Sequence, residues 1–172
     1  YDIFLKMYNA GTISRFIESP QQEALTLNNR LELALEIMQG LCHIHESNYV
    51  HRDLHLGNFF LHLPNEASGD HKLHMVIGDY GRMCALKECN GILPQAARNF
   101  QPPEAHIYGQ LHGSAYQKCD IYAMGCILYC LVHNKRPPWF IKGDIPFPRR
   151  NPSTTLIKRK NTLYRHLRNA RE

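Results

Sequence analysis

His51-Arg52-Asp53-Leu54-His55-Leu56-Gly57-Asn58 is the stretch around which this chain is organised. It sets a carboxylate and a carboxamide five residues apart, in a loop between apolar Tyr49-Val50 and apolar Phe59-Phe60-Leu61. A second carboxylate, Asp79, follows the apolar run Met75-Val76-Ile77 and opens Asp79-Tyr80-Gly81. One Asp to accept a proton, with an Asn and an Asp to hold a metal, is the minimum equipment for moving a phosphoryl group. Taken singly, each residue also has a blander reading, because Asp and Asn often do no more than cap turns.

Working outward, the 172 residues are enough for one domain with a core of its own. Hydrophobic residues make up 44% and charged residues 20%, a balance that excludes a disordered chain. No apolar run reaches the length of a membrane span, and no basic-then-apolar signal opens the chain. The chain begins at Tyr1 in strand-like sequence, which reads as a piece of something longer. The net charge of +5 comes largely from a dilute basic stretch between Arg149 and Arg171. Such a stretch reads better as a solvated helix face than as a nucleic-acid or membrane contact, so no specific nucleic-acid partner is expected. The six cysteines include no C-x-x-C, so neither a zinc site nor a disulfide framework is expected, and the compartment reads as reducing and intracellular, cytoplasmic above all. Cys126 and Cys130 are read as core, and His62, His71 and His74 as surface residues without metal spacing.

In chain order, Ile3-Phe4-Leu5 reads as a short strand ended by the turn Asn9-Ala10-Gly11, followed by a short helix from about Thr12 to Ile17. Leu31, Ala34, Leu35, Ile37, Met38, Leu41 and Ile44 recur at three- and four-residue spacing. They predict a long amphipathic helix capped by Asn28 or Asn29 and ending near Glu46-Ser47-Asn48. Phe59–Leu63 and Leu73–Ile77, joined by a Pro-, Asn- and Gly-rich turn, predict a hairpin. No period persists from Arg82 to Gln101, and an irregular segment of that length is usually functional or mobile. Pro102-Pro103-Glu104 opens a short helical piece. From Asp120 to His133 the chain is almost wholly apolar, predicting a helix capped by Asp120 and buried all round. A basic helix is expected from about Leu156 onward.

In this order the motifs resemble those of the eukaryotic protein kinase family from the hinge onward. The catalytic loop H-R-D-L-x-x-x-N is matched by His51 to Asn58, the metal-binding D-F-G by Asp79-Tyr80-Gly81, and the A-P-E by Pro102-Pro103-Glu104. The helix opening at Asp120 resembles the family's central helix, whose Asp braces the catalytic loop's backbone. The resemblance covers about Tyr1 to Trp139 and implies an α+β, mainly helical fold: a protein-kinase-like C-terminal lobe with short β-hairpins around the catalytic loop. Residues 1–13 would hold the last N-lobe strand, the hinge and the start of the first C-lobe helix; 14–139 would form the lobe's core and 140–172 a basic tail. The resemblance implies transfer of the ATP γ-phosphoryl group to a protein hydroxyl. Asp53 would be the base, Arg52 its neighbour able to tether a phosphate, and Asn58 with Asp79 the ligands of Mg2+. Gly81 would permit a backbone bend. Leu5 would be the gatekeeper, the backbone of Lys6 and Tyr8 would meet the adenine, and Phe60 would floor its pocket where an aliphatic residue is usual.

Several features depart from the pattern. The Gly-rich loop, the strand lysine and its partner glutamate have no counterpart in these residues, so the N-lobe is expected upstream and the fragment alone is expected to be inactive. Where serine/threonine kinases carry a Lys two residues after the Asp, His55 stands here, and the Ala and Arg of tyrosine kinases are also missing; serine/threonine specificity is the better reading. The Gly-Thr before A-P-E corresponds to Ala96-Ala97. Between Arg82 and Gln101 there is no Ser, Thr or Tyr, so activation by phosphorylation of that loop is not expected. Cys84 and Cys89 lie there, read as ordinary thiols rather than a redox switch. Two alternatives remain. One is a small-molecule phosphotransferase of the aminoglycoside or choline kinase type, which shares H-x-D-x-x-x-x-N but lacks the Pro-Pro-Glu and the Asp120 helix. The other is a pseudokinase acting as a binding scaffold.

Overall fold

The computed structural model describes residues 8–17, 19, 25–64, 69, 72–91, 99–103, 105, 111–137 and 140. Its longest helix, α2 (Leu27–Glu46), follows a short α1 (Ile13–Ile17) and starts with a reciprocal cap. The Asn29 amide donates to Thr26 Oγ1 at 3.2 Å, while the Thr26 amide donates to Asn29 Oδ1 at 3.2 Å. Thr26 therefore caps the helix, in place of Asn28 or Asn29, because its extended backbone turns the hydroxyl back over the first turn. The buried face of α2 is Leu33, Ala34, Ile37, Leu41 and Ile44. Leu31, Leu35 and Met38, counted from the sequence on the apolar stripe, are instead exposed. At 100° per residue they fall beside the stripe rather than on it. Arg30 is buried on the same helix and donates from Nη1 to the carbonyl of Leu131 at 3.2 Å, where the next long helix ends and its dipole is negative.

That helix, α3, spans Ala115–His133. It begins five residues before Asp120, so Asp120 sits inside the helix and is not its cap. Burial is also incomplete, since Ile121 is 59% exposed. Cys126 and Cys130 are core residues as expected, and burial pushes the Cys130 thiol up to about 12. Among the described residues, six short strands form three antiparallel ribbons: β1 (Tyr49–Val50) with β4 (Cys84–Ala85), β2 (Phe59–His62) with β3 (His74–Ile77), and β5 (Asn90–Gly91) with β6 (Leu111–His112). The β2–β3 hairpin has the expected register, Phe59 opposite Ile77 and His62 opposite His74. The β1–β4 and β5–β6 pairs lie where no period was visible, because two residues are too few to show alternation.

One core joins these parts. Leu33, Ile37 and Leu41 of α2, Ile127 and Leu131 of α3, Leu54 and Leu56 of the intervening loop, and Phe59, Leu61, Met75 and Ile77 of the hairpin share it. Each fully buried side chain of this kind contributes about 1.5–3 kcal/mol. A second, smaller cluster gathers Val50, Cys89, Leu111, Tyr116 and Cys119. His62 and His74, expected at the surface, are half-buried: His62 lies edge-on to Tyr8, and His74 Nδ1 meets Glu36 Oε1 at 2.7 Å. Ile3–Leu5, His71 and the basic stretch beyond residue 140 lie outside the described residues. The fold is thus α+β, dominated by two long helices, with short antiparallel ribbons around the loop between β1 and β2.

Candidate active site

The loop His51–Asn58 is suspended between two ribbons, with β1 entering it and β2 leaving it. Its first turn is strained: Arg52 has φ +69, in the left-handed region that non-glycine residues avoid. The buried Asp120 compensates. Its Oδ2 accepts the His51 amide at 2.8 Å and its Oδ1 the Arg52 amide at 3.0 Å. The same Oδ2 meets His45 Nε2 of α2 at 3.0 Å, so both long helices converge on one carboxylate. The bracing role expected of Asp120 is therefore present, although its capping role is not.

Further hydrogen bonds close the loop on itself and tie it to Gly78, the residue before Asp79. Asn58 Nδ2 donates to the Asp53 carbonyl at 2.9 Å, and the Gly78 amide donates to the Asn58 carbonyl at 2.8 Å. His51, wholly buried, adds a second link to Gly78, from Nε2 to its carbonyl at 3.1 Å. Asp53, Asn58 and the start of Asp79-Tyr80-Gly81 are thereby one hydrogen-bonded unit. Asp79 is exposed and itself left-handed, at φ +57. Gly81 was expected to take that bend. Instead Asp79 takes it, and a Cβ added at Gly81 would merely touch Asp79 Oδ1 at 3.4 Å. The hydroxyl of Tyr80 donates to the Ile77 carbonyl at 2.6 Å, folding the ring back over the strand end, and partial burial raises its pKa.

Asp53 is buried, yet its two oxygens differ. Oδ2 pairs with Arg82 Nε at 3.3 Å, whereas Oδ1 has no hydrogen-bond partner among the described residues. His55 caps the 3-10 turn Leu56–Asn58 by accepting the Gly57 amide on Nδ1 at 3.1 Å. When the ring is neutral, that bond leaves its proton on Nε2. Burial lowers the His55 pKa below 6.5, only partly opposed by the carboxylates of Asp53 and Asp79. A neutral imidazole thus stands near both acids, where a lysine would carry a fixed charge.

On the other side of Gly78, Tyr8 stacks on Phe60 with ring centroids 5.7 Å apart. The segment before α1 is held along β2: Asn9 exchanges two hydrogen bonds with Leu63, at 2.7 and 2.9 Å, and Leu61 exchanges two with Ala10 and Gly11. Tyr8 and Phe60 are therefore brought together, while Lys6, Leu5, Ala97 and Glu104 lie outside the described residues. The Arg52 guanidinium lies over the ring of Tyr116, 5.5 Å from its centroid. The sequence reading missed Arg82, His45 and Gly78. Only Gly78, a glycine between a strand and an acid, carried a visible signal.

Asn58 and Asp79, the ligands expected from the sequence, carry hard oxygen donors of the kind magnesium takes. Among the described residues no three His, Cys, Asp or Glu side chains form a self-sufficient metal cage. Two side-chain donors suit an ion that completes its shell with phosphates and water, as magnesium does in nucleotide sites. No described helix is long and apolar enough to cross a membrane.

The model of the protein kinase domain matches residues 1–165. The chain is 21% identical over 170 residues to "Probable serine/threonine-protein kinase iksA" of Dictyostelium discoideum, which covers 90% of this chain and 17% of that protein. It is 35% identical over 106 residues to "Serine/threonine-protein kinase PLK2" of Mus musculus, covering 60% of this chain and 14% of that protein. The chain thus spans less than a fifth of the length of these curated relatives. With the family's domain matched across nearly all its residues, this chain belongs to the protein kinase domain family.

Proposed function

We propose that these residues form the C-terminal lobe of a longer serine/threonine protein kinase, which moves the γ-phosphoryl group of ATP to a protein hydroxyl. The observation that carries this reading is the hydrogen-bonded unit linking Asp53, Asn58 and Gly78, which presents Asp79 beside a base. Asp53 Oδ1, buried and without a hydrogen-bond partner among the described residues, would take the proton of a hydroxyl that substrate binding brings to it. Asn58, whose Nδ2 is engaged, has Oδ1 to offer a metal, and Asp79 offers an exposed carboxylate. Magnesium bound there would neutralise charge on the nucleotide phosphates. His55, neutral and with its proton on Nε2, supplies a hydrogen-bond donor where most serine/threonine kinases place a cation. Tyr8 and Phe60, with the backbone of Lys6, would border the adenine.

The relatives' names support serine/threonine chemistry, and the Pro-Pro-Glu and α3 favour a protein over a small-molecule acceptor. The phosphate-binding half of the ATP site belongs to a lobe upstream, so residues 1–172 alone are expected to leave a generic substrate unlabelled. The test is γ-phosphoryl transfer from labelled ATP by the full-length natural protein. Replacing Asp53 with Asn should lower kcat by about 10²–10⁴-fold, the usual worth of a positioned base. Asp79→Asn should abolish magnesium-dependent nucleotide binding. A full-length protein that binds ATP but transfers nothing would instead support the scaffold reading.

A further inference from the structure

Arg52 adjoins the base in sequence, and a guanidinium in that place is suited to hold a phosphate on a neighbouring segment. Here the segment after Asp79 offers none, since residues 82–101 contain no Ser, Thr or Tyr. The cavity beside Arg52, lined also by Leu54, Phe100, Gln101 and Asp120, holds only about 10 Å³. That is room for about one water molecule, too little for a phosphate group. The Arg52 guanidinium lies instead over the ring of Tyr116, at 5.5 Å, and its buried Nε has no hydrogen-bond partner among the described residues.

Tyr116 is itself tied at its far end. The ring is wholly buried between Val50, Cys89, Leu111 and Cys119, and its hydroxyl donates to the Gly91 carbonyl at 2.8 Å. Gly91 ends β5, whose partner β6 leads into α3 and so back to Tyr116. One side chain thus touches the catalytic loop with its face and the segment after Asp79 with its tip. A cation over an aromatic face is held by the ring's quadrupole, and more firmly once desolvated. We propose that Tyr116 is a positioning residue, which sets Arg52 and the segment Met83–Gly91 against Asp53 without phosphorylation of that segment. This rests on the kinase reading above.

The test has two arms. In the catalytic arm, the full-length natural protein is treated with a phosphatase and freed of phosphate by mass spectrometry. Its kcat should stay within about twofold of the untreated value, and Tyr116→Leu should lower kcat about tenfold or more with KM for ATP unchanged. Tyr116→Phe keeps the ring and should recover most of that loss. In the second arm, which needs no activity, the Arg52 side-chain resonances should be displaced by the ring in the natural protein and in Tyr116→Phe, and revert in Tyr116→Leu. Amides around Gly91 should exchange faster in both variants. A kcat that collapses on dephosphorylation, or Arg52 resonances indifferent to Tyr116→Leu, would overturn the proposal. If the full-length protein transfers no phosphate at all, the kinase reading fails, and the resonance arm still decides whether Tyr116 holds Arg52.

Discussion

The ring of Phe60 closes on Gly78 so tightly that a Cβ added there would fall 2.7 Å from Phe60 Cε2 and 2.8 Å from Cδ2. The residue that floors the proposed adenine pocket and the residue that leads into Asp79 are therefore a matched pair, one large and one without a side chain. Gly78→Ala should destabilise the fold by about 1–3 kcal/mol, the cost of overpacking a buried site. Phe60→Leu should relieve most of that in the double variant, and by itself should tighten ATP binding in the full-length protein by widening the pocket. Urea titrations of the two singles and the double give the coupling directly. Additive losses would show that the two side chains do not meet.

Asp120 carries more than any other single side chain in the site. It accepts two backbone amides and faces His45, all from within the core. Asp120→Asn keeps the volume but gives up the charge and turns a donor toward an amide. It should cost about 3 kcal/mol, as charge-assisted hydrogen bonds and their buried partners are lost. The check is the urea midpoint together with amide exchange, which should rise first at His51 and Arg52, where a strained φ is no longer held.

Arg82 makes the opposite case. It pairs with Asp53 at 3.3 Å, but its own side chain is 43% exposed. Arg82→Gln should change stability by no more than about 1 kcal/mol, and the difference should shrink as salt is raised. Its effect on kcat should be under tenfold, against the far larger loss from Asp53→Asn. A drop comparable to that of Asp53→Asn would make Arg82 part of the chemistry.

His55 gives the site a pH dependence of definite sign. Burial lowers its pKa in the folded chain below the 6.5 of the unfolded one. Between those two values the unfolded state binds more protons, so stability rises with pH. The contribution is complete above 6.5, declines as the pH falls below it, and stops changing once the folded pKa is passed. His55→Gln should flatten that part of the stability–pH curve, read by thermal unfolding from pH 4 to pH 8. An unchanged slope would mean that the ring is not desolvated.

The hairpin, the two long helices and the bracing of the loop by Asp120 were legible because they rest on local signals. Such signals are period, turn chemistry and spacing within one loop. What escaped has a common physical cause. Ribbons of two residues have no period, so β1–β4 and β5–β6 were invisible until the segment after Asp79 was seen lying against Tyr49 and Leu111. Leu31, Leu35 and Met38 are as apolar as the core residues beside them, and only packing against α3 and the hairpin decides which side faces inward.

The same division runs through the opening stretch. By itself, the sequence of His51 to Asn58, with Asp79 beyond it, determined the functional groups on offer: two carboxylates and a carboxamide. Tertiary structure decided how that chemistry is held. Asp120, 67 residues beyond Asp53, fixes the strained turn; His51 and Asn58 bind Gly78, the residue before Asp79, to the loop; and the Tyr116 ring lies under the Arg52 guanidinium. Contacts of that kind join residues far apart in the chain, and no local pattern encodes them because their energy exists only once the core has brought the two sides together.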